Sequence, residues 1–133
     1  MEIVRRIYEA QARRDAAAVL ALYDPDIVAD FSRVGFGWGD RTQDVCRGIE
    51  DLRALYRDWY EVWEDYEEDL EELLDAGEQV VTVATGHGRG RASGVEVDIK
   101  HQAGVWTIRD EKVVRVVWFP TRAEALEAAG LSE

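Results

Sequence analysis

The sequence predicts an α+β fold: N-terminal helices packed on a mostly antiparallel, curved sheet, closed by a short last helix. Three observations predict it. Apolar residues fall at helical spacing near the N-terminus and again around Leu52–Trp63. From Ala76 onward the apolar period becomes two. Thr121-Arg-Ala-Glu124 is a capping box that opens a final helix. Helices segregated from an antiparallel sheet must cover one of its faces, and a strongly curved sheet leaves a cavity beneath them.

Ile3, Val4, Ile7, Tyr8 and Ala12 make 2–14 an amphipathic helix. Asp15 caps a second short helix carrying Val19, Leu20 and Tyr23, which Asp24-Pro25-Asp26 ends. Ile27 to Phe31 reads as a strand. Residues 32–48 read as irregular, with Gly35, Gly37 and Gly39 alternating with Phe36 and Trp38. A helix follows from Ile49 to Glu64, with Leu52, Leu55, Tyr56, Trp59, Val62 and Trp63 on one wide stripe. Asp65–Leu74 is ambiguous: its glutamates favour helix and its length fits a strand. Gln79–Thr85, Val95–Ile108 and Lys112–Phe119 read as strands, the last two joined by a tight turn at Arg109-Asp110-Glu111. Gly130 ends the final helix.

The 133 residues fit one domain, 1–133, with enough chain for a real core. A net charge of −12 and a pI near 4.6 disfavour nucleic acid and anionic membrane surfaces as partners. Cys46 is the only cysteine, so no internal disulfide forms, as expected of a reducing compartment. The N-terminus lacks a signal-peptide pattern and no apolar run is long enough to span a bilayer, so a cytoplasmic location is expected.

The chain resembles the SnoaL-like branch of the nuclear transport factor 2-like superfamily. The resemblance is carried by Ala21-Leu-Tyr-Asp-Pro-Asp-Ile-Val-Ala-Asp30, Arg47-Gly-Ile-Glu-Asp-Leu52, Glu61-Val-Trp-Glu-Asp-Tyr66 and Gly90-Arg-Ala-Ser-Gly94. Val105-Trp-Thr-Ile-Arg-Asp110 and the ending Phe119-Pro-Thr-Arg-Ala-Glu-Ala-Leu-Glu-Ala-Ala-Gly130 complete it. It implies a cone with a pocket between sheet and helices, a strand for the acidic segment, and a homodimer formed through the sheet face. The fold hosts many chemistries, so it implies little about the reaction.

Asp30 is the first catalytic candidate. Its position is similar to that of the general-base aspartate of ketosteroid isomerases, and a carboxylate in an apolar cavity moves protons near neutrality. The rest of that pattern departs here. The isomerase oxyanion tyrosine falls on Ile7, beside Tyr8, and the cyclase aspartate falls on Thr121. His101, on a strand face shared with Ala103 and Val105, is a second acid–base candidate. His87 ranks below it. The histidines and cysteine match no zinc spacing, and the glycines match no dinucleotide or phosphate loop, so no metal and no cofactor is expected. Tyr8, Phe31, Trp38, Tyr56, Trp59, Trp63, Trp106 and Trp118 are the expected lining of a pocket for a small hydrophobic organic ligand. Arg89 and Arg91 are expected to pair with the acidic strand at 67–72. Three readings stay open: an acid–base isomerase, cyclase or hydratase acting on a hydrophobic carbonyl compound, a non-catalytic binder, and a purely structural dimerisation module whose cavity is filled by side chains.

Overall fold

A computed structural model describes residues 2–34 and 45–131, apart from the side chains of residues 99–101. The order is α1 (Glu2–Ala12), α2 (Ala16–Ala21), β1 (Tyr23–Asp30), β2 (Val45–Arg47), α3 (Ile49–Val62), β3 (Trp63–Ala76), β4 (Gln79–Gly90), β5 (Glu96–Arg109), β6 (Lys112–Phe119) and α4 (Arg122–Ala128). The strands form one curved, unclosed sheet in the order β2-β1-β6-β5-β4-β3. It is mixed: β1 runs parallel to β6, and every other pairing is antiparallel.

The helix starts follow local chemistry. Asp15 caps α2 by accepting the Ala18 N–H at 3.1 Å. Thr121 caps α4, accepting the Glu124 N–H at 3.2 Å. Gly48 precedes α3 at φ +88°, where a side chain would be strained, and its N–H bonds the Ile27 carbonyl at 2.7 Å.

Two expectations change. Tyr23 belongs to β1 rather than to the second helix, and the strand runs through Pro25. The register to β6 shifts between Tyr23 and Val28, which is where a residue without an N–H is tolerated. The acidic segment is the strand β3, as the family resemblance implied. It starts at Trp63, so α3 ends two residues sooner than its pattern suggested.

The sheet buries both faces. On the concave face Ile27, Ala29, Val80, Ala84, Trp106 and Val116 pack with Val4, Ile7 and Tyr8 of α1 and Leu52 and Leu55 of α3. On the convex face Val81, Ala103, Val105 and Phe119 pack under Ala125 and Leu126 of α4. The Arg122 guanidinium ties α4 to β3 by a two-pronged contact with Glu72 at 2.7 and 3.0 Å, which holds that carboxyl below its ordinary range.

Among the described residues neither Arg89 nor Arg91 forms an ion pair with the carboxylates at 67–72, although Arg89 feels the charges of Glu64 and Asp65 in β3. Arg89 bonds Glu96 at 2.7 Å, and Arg91 donates to the carbonyls of Glu61 and Trp63 at 3.2 and 2.9 Å. His87 is exposed and bridges strands instead, reaching Asp98 at 2.9 Å and Asp69 at 3.0 Å.

Thr82 is fully buried, and its hydroxyl oxygen accepts from the Trp106 Nε1–H at 2.8 Å and the Tyr8 hydroxyl at 3.3 Å. Thr82→Val keeps the shape and strands both donors, so urea unfolding is expected to show a loss of about 2 kcal/mol. A loss below about 0.5 kcal/mol would refute that account. His87 titrates above its ordinary 6.5, raised chiefly by the hydrogen bond to Asp98. Its stabilisation is therefore present below the unfolded value and lost as pH rises through the folded one. The stability advantage over His87→Gln should be visible at about pH 5.5 and shrink by about pH 8.5, and a pH-independent difference would refute the bridge.

Candidate functional site

A cavity of about 600 Å³ lies between the concave face of the sheet and helices α1 and α3. That volume suits a drug-sized organic molecule. Tyr8 enters from α1, Tyr56 and Trp59 from α3, and Trp63 from the α3–β3 junction. Trp106 and Trp118 rise from β5 and β6, and Phe31 lies just past β1. The rings form a continuous wall. Tyr8 meets Trp106 edge-on at 6.0 Å, Trp106 meets Trp118 at 5.7 Å, and Phe31 stacks on Trp118 at 6.3 Å. Trp38 and Phe36 lie outside the described residues.

Glycines make room for this wall. A Cβ on Gly88 would come within 2.6 Å of the Trp63 ring, and one on Gly86 within 2.4 Å of the Tyr66 hydroxyl. The alternation Gly86-His-Gly-Arg-Gly90 therefore serves the concave face, while His87 and Arg89 point the other way.

Among the described residues the polar groups are few. Tyr23 and Tyr56 share a hydrogen bond at 3.0 Å, and Gln11 donates to Tyr56 at 3.4 Å. Burial raises the hydroxyl pKa of Tyr8, Tyr23 and Tyr56, so all three stay neutral donors. The Trp63 Nε1–H is buried without a partner among the described residues. A smaller cavity of about 270 Å³ adjoins the first, sharing Gln11, Tyr56 and Trp63 with it.

Among the described residues one carboxyl lines the main cavity, and it is Glu68 of β3. Burial pushes its pKa up, against the opposing effect of a hydrogen bond from Tyr66. Gln102 Nε2 donates to the Tyr66 hydroxyl at 3.3 Å, and that hydroxyl donates to Glu68 Oε1 at 3.0 Å. Among the described residues the arrangement leaves Oε2 for a ligand. A neutral Glu68 can donate a proton there, and the carboxylate left behind keeps the Tyr66 hydroxyl as a partner.

Asp30 does not line this cavity. Its neighbour Ala29 faces the concave side, and Asp30 pairs across the sheet with Val117, whose side chain packs on the convex side. Its Oδ1 accepts the Ser32 N–H at 2.9 Å and the Ser32 hydroxyl at 2.6 Å, and Arg33 stands 3.6 Å from Oδ2. Its pKa is lowered: burial opposes the shift, and the Ser32 bonds with Arg33 and Arg115 outweigh it. His101 lies in β5, and its side chain is outside the described residues. Sequence reasoning passed over Glu68 as one charge in an acidic run. Its signal was the spacing Tyr66-Glu-Glu68, a carboxylate on the strand face of an aromatic residue. Among the described residues no cluster of three metal-ligating side chains occurs.

Residues 4–116 match the SnoaL-like domain family, and the chain belongs to it. Among solved structures, a nuclear transport factor 2-like protein from Burkholderia thailandensis is 28% identical, with a TM-score of 0.76 over 98% of this chain and 96% of that one. TerC, co-crystallised with polyporic acid, is 18% identical, with a TM-score of 0.73 over 96% of this chain and 95% of its own. A Mycobacterium tuberculosis protein in complex with estradiol-17beta-hemisuccinate is 12% identical, with a TM-score of 0.73 over 88% and 89% of the two chains. The last two likenesses establish the fold alone. No curated protein matches the chain.

Gly86→Ala should force the Tyr66 hydroxyl away from Glu68 and Gln102. The expected cost is about 1–3 kcal/mol in urea unfolding, with an altered Tyr66 ring environment by NMR. Unchanged stability and an unmoved Tyr66 would show that the close approach is not a constraint.

Proposed function

We propose that this SnoaL-like protein binds a hydrophobic, carbonyl-bearing small molecule in the larger cavity and transfers a proton to or from it through Glu68. The observation that carries the reading is the chain Gln102–Tyr66–Glu68, which supports a carboxyl of raised pKa inside an aromatic cavity. A proton leaves Glu68 Oε2 for the ligand oxygen, and the resulting carboxylate is steadied by the Tyr66 hydroxyl; the reverse transfer restores the acid. Isomerisation and hydration both need such a step. The two ligand-bound neighbours support small-molecule binding on this fold.

The second reading is a binder without turnover. The outward course of Asp30 favours it, because the sequence-based base then has no cavity to serve.

Glu68→Gln separates the two. In a panel of hydrophobic ketones and enols, turnover should fall by about 10²-fold or more while ligand affinity holds. Glu71→Gln, an exposed neighbour bonded to Thr85, is the control. A raised folded pKa makes ionised Glu68 destabilising, so Glu68→Gln should be at least as stable as the wild type at neutral pH. The loss would then not come from unfolding. Full activity in Glu68→Gln sinks the acid–base reading, and tight binding with no turnover in the wild type supports the binder.

A further inference from the structure

The smaller cavity, of about 270 Å³, lies behind one wall of the larger. Gln11 of α1, Tyr56 of α3 and Trp63 border both and form the partition between them. Beyond it Val19, Tyr60 and Tyr66 line the smaller space. Its rim is exposed and carries two cations, Arg14 and Arg91, and two carboxylates, Asp15 and Glu64. Most of these charges are already engaged. Arg14 pairs with Asp65 at 3.1 Å, Arg91 donates to the Glu61 and Trp63 carbonyls, and Asp15 caps α2. A charged group therefore gains little on this rim. The valine and aromatic walls behind it favour an apolar group.

The partition is weakly secured. The bond across it, from Gln11 Nε2 to the Tyr56 hydroxyl, is long at 3.4 Å. Tyr56 keeps the Tyr23 hydroxyl at 3.0 Å when Gln11 moves away. Gln11 is half-buried, and its flexible side chain has several staggered rotamers. The third member, Trp63, carries the Nε1–H that is buried without a partner among the described residues, which is itself a cost to the closed wall.

We infer that the ligand spans both cavities. Its ring body and carbonyl lie in the larger one with Glu68, and an uncharged alkyl tail passes Gln11 into the smaller. Gln11 is then the specificity-determining residue, because its position decides whether a tail fits. This rests on the cavity reading above and adds the tail to the substrate class.

The methyl, propyl and pentyl ketones of naphthalene test it, because they share a body and a carbonyl and differ in tail length. Equilibrium dialysis of the wild type should show affinity rising about threefold per added methylene. Ala16→Trp fills the smaller cavity from its exposed rim, so the rise should flatten while the methyl ketone affinity stays within about twofold. Ala17→Trp, exposed and bordering neither cavity, is the control and should keep the rise. Glu68→Gln should keep it too, which separates the tail from the proton step. By NMR the Tyr60 ring should shift with the pentyl ketone and not with the methyl ketone. A flat series in the wild type, a rise that survives Ala16→Trp, or an unmoved Tyr60 overturns the tail site and leaves the cavity reading intact. Binding of none of the three ketones overturns both.

Discussion

The buried hydroxyl of Thr82 is the contact on which the cavity wall depends. It joins three elements with one oxygen: β4 supplies it, β5 brings the Trp106 indole, and α1 brings the Tyr8 hydroxyl. Large aromatic rings give the wall its area, but their polar atoms need partners away from water. Gly104 stands beside this junction. A Cβ there would lie about 3.0 Å from Trp106 Nε1 and 3.2 Å from the Thr82 hydroxyl, so a side chain would press on both partners of this bond. Fixing Trp106 also sets Trp118 and, through it, Phe31.

The fold class was legible because it rests on period, and period survives in one sequence. α1, α3 and the pair β5–β6 follow their patterns, and Thr121 and Asp15 cap the helices their spacing suggested. Seven of the aromatic residues singled out in the sequence border the cavity, because stripes of large rings on amphipathic elements turn inward, while Trp38 lies outside the described residues. Asp30 shows the limit. Which face of a strand takes a side chain depends on register, and Asp30 sits one residue from Ala29, which faces the cavity. A one-residue difference turns a side chain to the other face.

The unused space in the cavity has a physical cost. Empty volume forgoes dispersion contacts, and the ionised form of Glu68 is disfavoured by the surroundings that raise its pKa. The remainder of the structure offsets this with a second core on the convex face, where α4 seals Val81, Val105 and Phe119 and the Arg122–Glu72 contact anchors it. Layers on both faces let the concave one stay partly unfilled.

The placement of Glu68 follows from two irregularities in β3. Its register to β4 shifts between Trp63 and Asp65 and again between Leu70 and Glu72. Between them Tyr66, Glu68 and Leu70 share the concave side, while Glu67, Asp69 and Glu71 are exposed. Past the second shift Leu73 joins the concave core, Leu74 the convex one, and Glu72 meets Arg122 of the convex-side helix. Counted back from Leu73 with a strict period of two, Glu71, Asp69 and Glu67 would face the cavity and Glu68 would face water. The shift reverses this. It also hides the strand from pattern reading, because a segment whose phase changes partway along has no single period to detect. The same device that made Asp65–Leu74 ambiguous in the sequence therefore selects one carboxylate from an acidic run and turns it into the aromatic cavity.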